Sequence, residues 1–141
     1  MQTGHVLTFA GTRDGFEQAF ADLRRTLDRH PLPHKARYRC ELVFEEVVTN
    51  IIKHGYADDQ PHEIEVSLDF TGEAIVMRFE DDGTPFDPLG HSPLNHARSI
   101  LDARSGGRGL LLVRTAARGL DYERTREQRN RFTVTIGANG A

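Results

Sequence analysis

Glu41-Leu-Val-Phe-Glu-Glu-Val-Val-Thr-Asn-Ile-Ile-Lys-His54 reads as an amphipathic helix with a polar stripe cut into its apolar surface. Glu46, Asn50 and His54 recur at four-residue spacing, so on an α-helix they point one way. Val43, Phe44, Val47, Val48, Ile51 and Ile52 cover the adjoining faces and are set to bury much of the helix. A carboxylate and an amide are thereby drawn toward the interior, where each costs about 1–3 kcal/mol if left unpaired. A hydrated Mg²⁺ ion with nucleotide phosphates would meet them. Taken alone, the stripe also fits a helix edge whose Glu and Asn see water.

Downstream, Val76-Met-Arg-Phe-Glu-Asp-Asp-Gly-Thr-Pro-Phe-Asp-Pro88 is an alternating run that stops at an acidic turn. Ile75, Met77 and Phe79 share one side of a strand, and Asp81 continues that parity inward. An Asp at the inner end of a strand can accept a hydrogen bond from an exocyclic amine such as that of adenine. Gly83, lacking a Cβ, would let the backbone come close to the ring. An ordinary Asp-Gly turn is the plainer meaning of the same string. Next comes Ser105-Gly-Gly-Arg-Gly-Leu-Leu-Leu-Val-Arg-Thr-Ala-Ala-Arg-Gly119, a glycine cluster running into an amphipathic helix. Free N–H groups and the positive dipole end at such a helix start favour phosphate oxygens, with Gly107 and Gly109 allowing the turn. A flexible loop before a core helix is the alternative. The cluster fits neither a P-loop nor a strand-linked G-x-G-x-x-G.

The order of these segments carries the specificity: an E-x-x-x-N helix, a strand ending D-x-G-x-P-F-D, a variable stretch, then G-G-x-G-L opening a helix. Glu46-Val-Val-Thr-Asn50, Asp81-Asp-Gly-Thr-Pro-Phe-Asp87 and Gly106-Gly-Arg-Gly-Leu110 resemble the motifs of the GHKL ATP-binding superfamily. The likeness looks closest to the bacterial anti-sigma-factor serine kinases, extends to a terminal strand at Asn130–Ile136, and covers nearly the whole chain.

The resemblance implies a Bergerat-type α+β fold, a two-layer sandwich of a mostly antiparallel mixed sheet with helices on one face. It implies Glu46 as general base, Asn50 as the Mg²⁺ ligand, Asp81 at the adenine amine and Gly83 beneath the ring. Gly107 and Gly109 would contact the phosphates, with Leu110 in the same box, and His54 and Arg108 would lie near them. Asn130 stands where other branches often carry a Thr near adenine. The stretch 88–106 takes the position of the family's ATP lid. Implied ligands are ATP and Mg²⁺, since GTP would offer Asp81 a carbonyl. The implied partners are a STAS-type anti-anti-sigma factor phosphorylated on Ser or Thr, a sigma factor held in check, and a second copy in a homodimer. Two readings compete: a nucleotide-gated binding module without turnover, and the ATP-binding part of a histidine kinase.

Composition agrees with one domain over 1–141, since a chain of this length buries about two-thirds of its unfolded surface. Apolar content of 38% and charged content of 28% suit a soluble globular protein. A formal charge of −3 and dispersed arginines give no support for direct nucleic-acid binding. No stretch reads as an export signal or a membrane span, and Cys40 is the only cysteine, so a cytoplasmic setting is expected. Cys40 reads as a packing residue. Around the motifs, the pattern predicts a strand at Val6–Phe9, a helix at Phe16–Leu27, a central helix from near Lys35 and a hairpin of Ile64–Phe70 with Ile75–Phe79. It also predicts a helix from about Gly109 to Ala117 and closing strands at Leu120–Thr125 and Arg131–Ile136.

Overall fold

The computed structural model describes residues 3–54, 56, 60–88 and 108–139. Alternation builds the middle of the sheet. Ile64, Val66, Leu68 and Phe70 bury one side of β2 (Glu63–Phe70), and Ile75, Met77, Phe79 and Asp81 bury one side of β3 (Ala74–Asp81). Thr71 closes the hairpin between them: its N–H donates to the Ala74 carbonyl at 2.9 Å and its Oγ1 accepts from the Ala74 N–H at 2.9 Å. β1 (Thr3–Ala10) flanks β2, β5 (Asn130–Gly137) flanks β3, and β4 (Gly119–Arg124) lies outside β5.

Every pair in this five-stranded sheet is antiparallel, in the order β1-β2-β3-β5-β4. The expected mixed component is therefore not found among the described strands. Two helices separate β1 from β2 and carry the chain out and back, so β2 returns against β1. β4 does run parallel to β3, but β5 lies between them.

Register stacks the inward residues into rows across the sheet. They run Leu68–Met77–Val134–Leu120, then Val66–Phe79–Phe132–Tyr122, and at the end Ile64–Asp81–Asn130–Arg124. The first two rows are mostly apolar; the last is polar over three strands. The opposite face carries Glu65, Ser67, Asp69, Arg78, Glu80, Thr133 and Glu123, with Arg131 donating to Glu80 at 2.5 Å and to Glu123 at 2.7 Å. All described helices lie on the apolar side, which gives the two layers expected.

α1 (Arg13–Asp28) starts at Thr12, whose Oγ1 accepts from the Gly15 N–H at 3.0 Å, and its Asp14 suits the positive end of the helix dipole. It packs on β1 and on α2 (His34–His54). Phe44 of α2 is fully buried and joins the layers: its ring lies 5.9 Å from Phe9, 6.1 Å from Phe16, 6.0 Å from Phe20 and 6.3 Å from Phe79. Cys40 is buried on the same helix, and burial, helped by Glu41, pushes its thiol up to about 12. Such a thiol is not a nucleophile at neutral pH, in keeping with a packing role. α3 (Arg108–Ala116) packs against α2 through Val113. Among the described residues no helix is long and apolar enough to cross a membrane.

Candidate functional site

At the polar end of the sheet α2, α3 and the last strand rows leave a pocket of about 460 Å³, including its open mouth. Val47, Asn50, Ile51 and His54 supply the α2 wall, Leu110 the α3 wall, and Phe79, Asp81, Tyr122, Asn130 and Phe132 the sheet wall. Phe86 and Pro88 close it from the loop after β3. An apolar cleft with a few convergent polar groups is the usual form of a small-ligand site.

Residues from four distant stretches thus converge. Asn50, His54, Asp81, Leu110 and Asn130 all line the pocket. Glu46 lies one helical turn before Asn50 and against the start of α3, where a Cβ on Gly109 would collide with Glu46 Oε2. Glycine at 109 is therefore explained by close approach of the two helices. Gly83 is buried behind Asp81: its N–H donates to Asp81 Oδ1 at 2.8 Å, and its carbonyl accepts from Arg124 at 2.9 Å. Arg108 opens α3. Gly107 and all but Pro88 of the expected lid 88–106 lie outside the described residues.

The polar corner is wired across strands. Asn130, only 7% exposed, donates through Nδ2 to Asp81 Oδ1 at 3.1 Å and to the Thr84 carbonyl at 2.9 Å. Its Oδ1 accepts from Tyr122 Oη at 2.6 Å and from the Phe86 N–H at 3.4 Å. Burial pushes the Asp81 carboxyl above the usual range; the bonds from Asn130 and Gly83 oppose that, and the charge of Asp82 adds to it. Glu46 is also pushed up, chiefly by burial and then by the neighbouring Glu45. A carboxylate raised in this way is a stronger base than one in water.

Sequence reasoning did not single out Tyr122, Phe86 or Phe132. The signal for Tyr122 was present, since Leu120, Tyr122 and Arg124 alternate inward along β4. A second missed group lies nearby: Tyr56 stacks on His62 at 4.0 Å, and His62 Nδ1 bonds Asp82 Oδ1 at 2.9 Å. The Tyr56 hydroxyl is buried without a hydrogen-bond partner among the described residues, and burial raises its pKa.

Among the described residues no cluster of three or more His, Cys, Asp or Glu is placed to hold a metal by itself. The amide oxygen of Asn50 suits a hard cation that keeps waters and takes its other ligands from phosphate.

Residues 10–136 match the family described as the histidine kinase-like ATPase domain. The chain belongs to that family. This ATPase domain is 32% identical over 101 residues to the serine/threonine-protein kinase BtrW of Bordetella bronchiseptica, covering 72% of this chain and 70% of that protein. Its fold is similar to that of the RsbU and RsbW domains of Rv1364c from Mycobacterium tuberculosis, with a TM-score of 0.63 at 17% identity, over 95% of this chain and 32% of that one. This chain thus spans about a third of that structure's length. It is also similar to the SiaB-SiaC complex from Pseudomonas aeruginosa, with a TM-score of 0.60 at 17% identity, over 93% of this chain and 89% of that one. The resemblance to the GHKL superfamily and the two-layer α+β fold are borne out.

Proposed function

We propose that this ATPase domain is an ATP-dependent serine/threonine protein kinase of the anti-sigma-factor type. The observation that carries the reading is the convergence of Asn50 on α2 with Asp81 on β3 in one pocket, with Glu46 one turn from Asn50. Asp81 accepts the adenine amine, and Phe79, Phe132 and Ile51 give the base apolar walls. In this reading Asn50 offers its amide oxygen to Mg²⁺, and His54 and the Gly107–Leu110 box are the groups assigned to the phosphates by the family resemblance. Mg²⁺, when bound, neutralises phosphate charge and so favours attack at the γ-phosphorus.

Glu46 takes the proton of the attacking hydroxyl as a new P–O bond forms to the partner. The bond to the β-phosphate oxygen breaks, leaving a phosphoester and ADP. Kinship with a protein named a serine/threonine kinase supports a hydroxyl acceptor, and the acceptor proposed is a STAS-type anti-anti-sigma factor. A sigma factor is the second partner, released when that antagonist competes for the chain. A homodimer and a cytoplasmic location complete the reading, and sedimentation of the purified protein tests the dimer.

The test is transfer of labelled γ-phosphate from Mg·ATP to STAS-domain proteins encoded near this chain, with Glu46→Ala as control. Acid-stable phosphate on Ser or Thr, absent with Glu46→Ala, is the expected result. Acid-labile phosphate would instead support the histidine-kinase alternative, and ATP binding without transfer would support the nucleotide-gated module.

A further inference from the structure

The corner where β3, β5 and the loop 82–88 meet fixes its own polarity. The Phe86 N–H donates to Asn130 Oδ1, and the Thr84 carbonyl accepts from Asn130 Nδ2. A backbone N–H only donates and a carbonyl only accepts, so these two groups decide which way round the Asn130 amide lies. Its nitrogen therefore faces Asp81, where Oδ1 receives it at 3.1 Å together with the Gly83 N–H at 2.8 Å. With two donors on Oδ1, that oxygen is committed as an acceptor. Tyr122 completes the arrangement: Asn130 Oδ1 carries no hydrogen, so the 2.6 Å contact must be the phenol donating to the amide. It is the shortest of these bonds, and it comes from β4, an edge strand.

Resting on the ATP reading above, we propose that Tyr122 and Asn130 are positioning residues that hold Asp81 as a hydrogen-bond acceptor toward the base. They thereby set the pocket's preference for a purine bearing an exocyclic amine over one bearing a carbonyl. Removing the Tyr122 hydroxyl leaves Asn130 Oδ1 with the longer Phe86 bond, and the amide loosens against Asp81. Replacing the Asn130 nitrogen by oxygen goes further. Two carboxyls then face each other, a proton is shared between them, and Asp81 gains a state in which it donates.

The test is calorimetric titration with Mg·ATP, Mg·GTP and the Mg complex of purine riboside triphosphate, which lacks the amine. Wild type is expected to bind ATP about tenfold or more tightly than either analogue. Tyr122→Phe should weaken ATP about three- to tenfold and leave the amine-free analogue nearly unchanged, with a melting temperature lowered by no more than about 4 °C. Asn130→Asp should bring ATP and GTP close to equal affinity. If Asn130→Asp does not fold, Tyr122→Phe carries the test alone. Equal weakening of all nucleotides, or none, in folded Tyr122→Phe overturns the positioning role. Wild type that binds all three nucleotides but is indifferent to the amine, with Asp81→Asn silent, overturns the proposal, whereas folded wild type that binds none of them would overturn the nucleotide reading itself.

Discussion

At the strand end of the pocket the polar groups arrive by register, Asp81 opposite Asn130 and Asn130 opposite Arg124. At the helix end Glu46 and Asn50 arrive by the period of one helix, and Glu46 fits against α3 because residue 109 has no side chain. The two ends are therefore sensitive to different insults. A register shift of one residue would turn the whole strand end to the other face of the sheet. A single added carbon disturbs the helix end. The strand end holds its groups through bonds that each have a partner in the fold, as recognition of a fixed base requires. Burial raises a carboxyl at each end, Asp81 and Glu46, and at the helix end this suits the proton transfer proposed for Glu46.

The largest expected effect lies at the helix end. Glu46→Gln should lower phosphate transfer by roughly 10²–10⁴-fold while ATP affinity changes by less than about threefold. Steady-state transfer and calorimetry on the same samples check this, and parallel loss of binding would erase the division between the two ends. Asp81→Asn is the matching lesion at the strand end. It should weaken ATP by roughly 10–100-fold, since a hydrogen bond to a charged group contributes about 1.5–3 kcal/mol, and improve GTP relative to ATP.

Gly109→Ala sharpens the contrast through bulk alone. The added Cβ must displace the Glu46 carboxylate, a flexible group, so the melting temperature should stay within about 3 °C while transfer falls about tenfold. Retained transfer would show that Glu46 tolerates displacement.

The smallest effect is on stability without nucleotide. Because burial holds the Asp81 carboxyl above its ordinary value, the native chain keeps the proton to higher pH than the unfolded chain does. The favourable contribution of the protonated form is present at low pH. It is lost as pH rises from the ordinary aspartate range through the raised native value. Thermal unfolding between about pH 4 and 7 should show a decline of a few degrees from this group, flattened in Asp81→Asn.

Much of this was legible in the sequence, for physical reasons particular to each element. The inward run Ile75, Met77, Phe79 carried Asp81 to the inner face because strand parity does not depend on tertiary context. The stripe Glu46, Asn50, His54 likewise survives as a feature of one helix, two of its members lining the pocket. Two things were not legible. Tyr122 acts through Asn130, a cross-strand partnership fixed by the β4–β5 register rather than by either segment alone. The close approach of Gly109 to Glu46 was the other, since the meeting of α2 and α3 is set by packing.

Titration of the wild-type protein with ATP in the presence and absence of Mg²⁺, alongside Asn50→Ala and Asp81→Asn, tests the central claim most directly. The account predicts binding in wild type that weakens without Mg²⁺, loses that Mg²⁺ dependence in Asn50→Ala, and weakens in Asp81→Asn whether or not the metal is present. Binding that ignores both substitutions, or no binding at all, would contradict it.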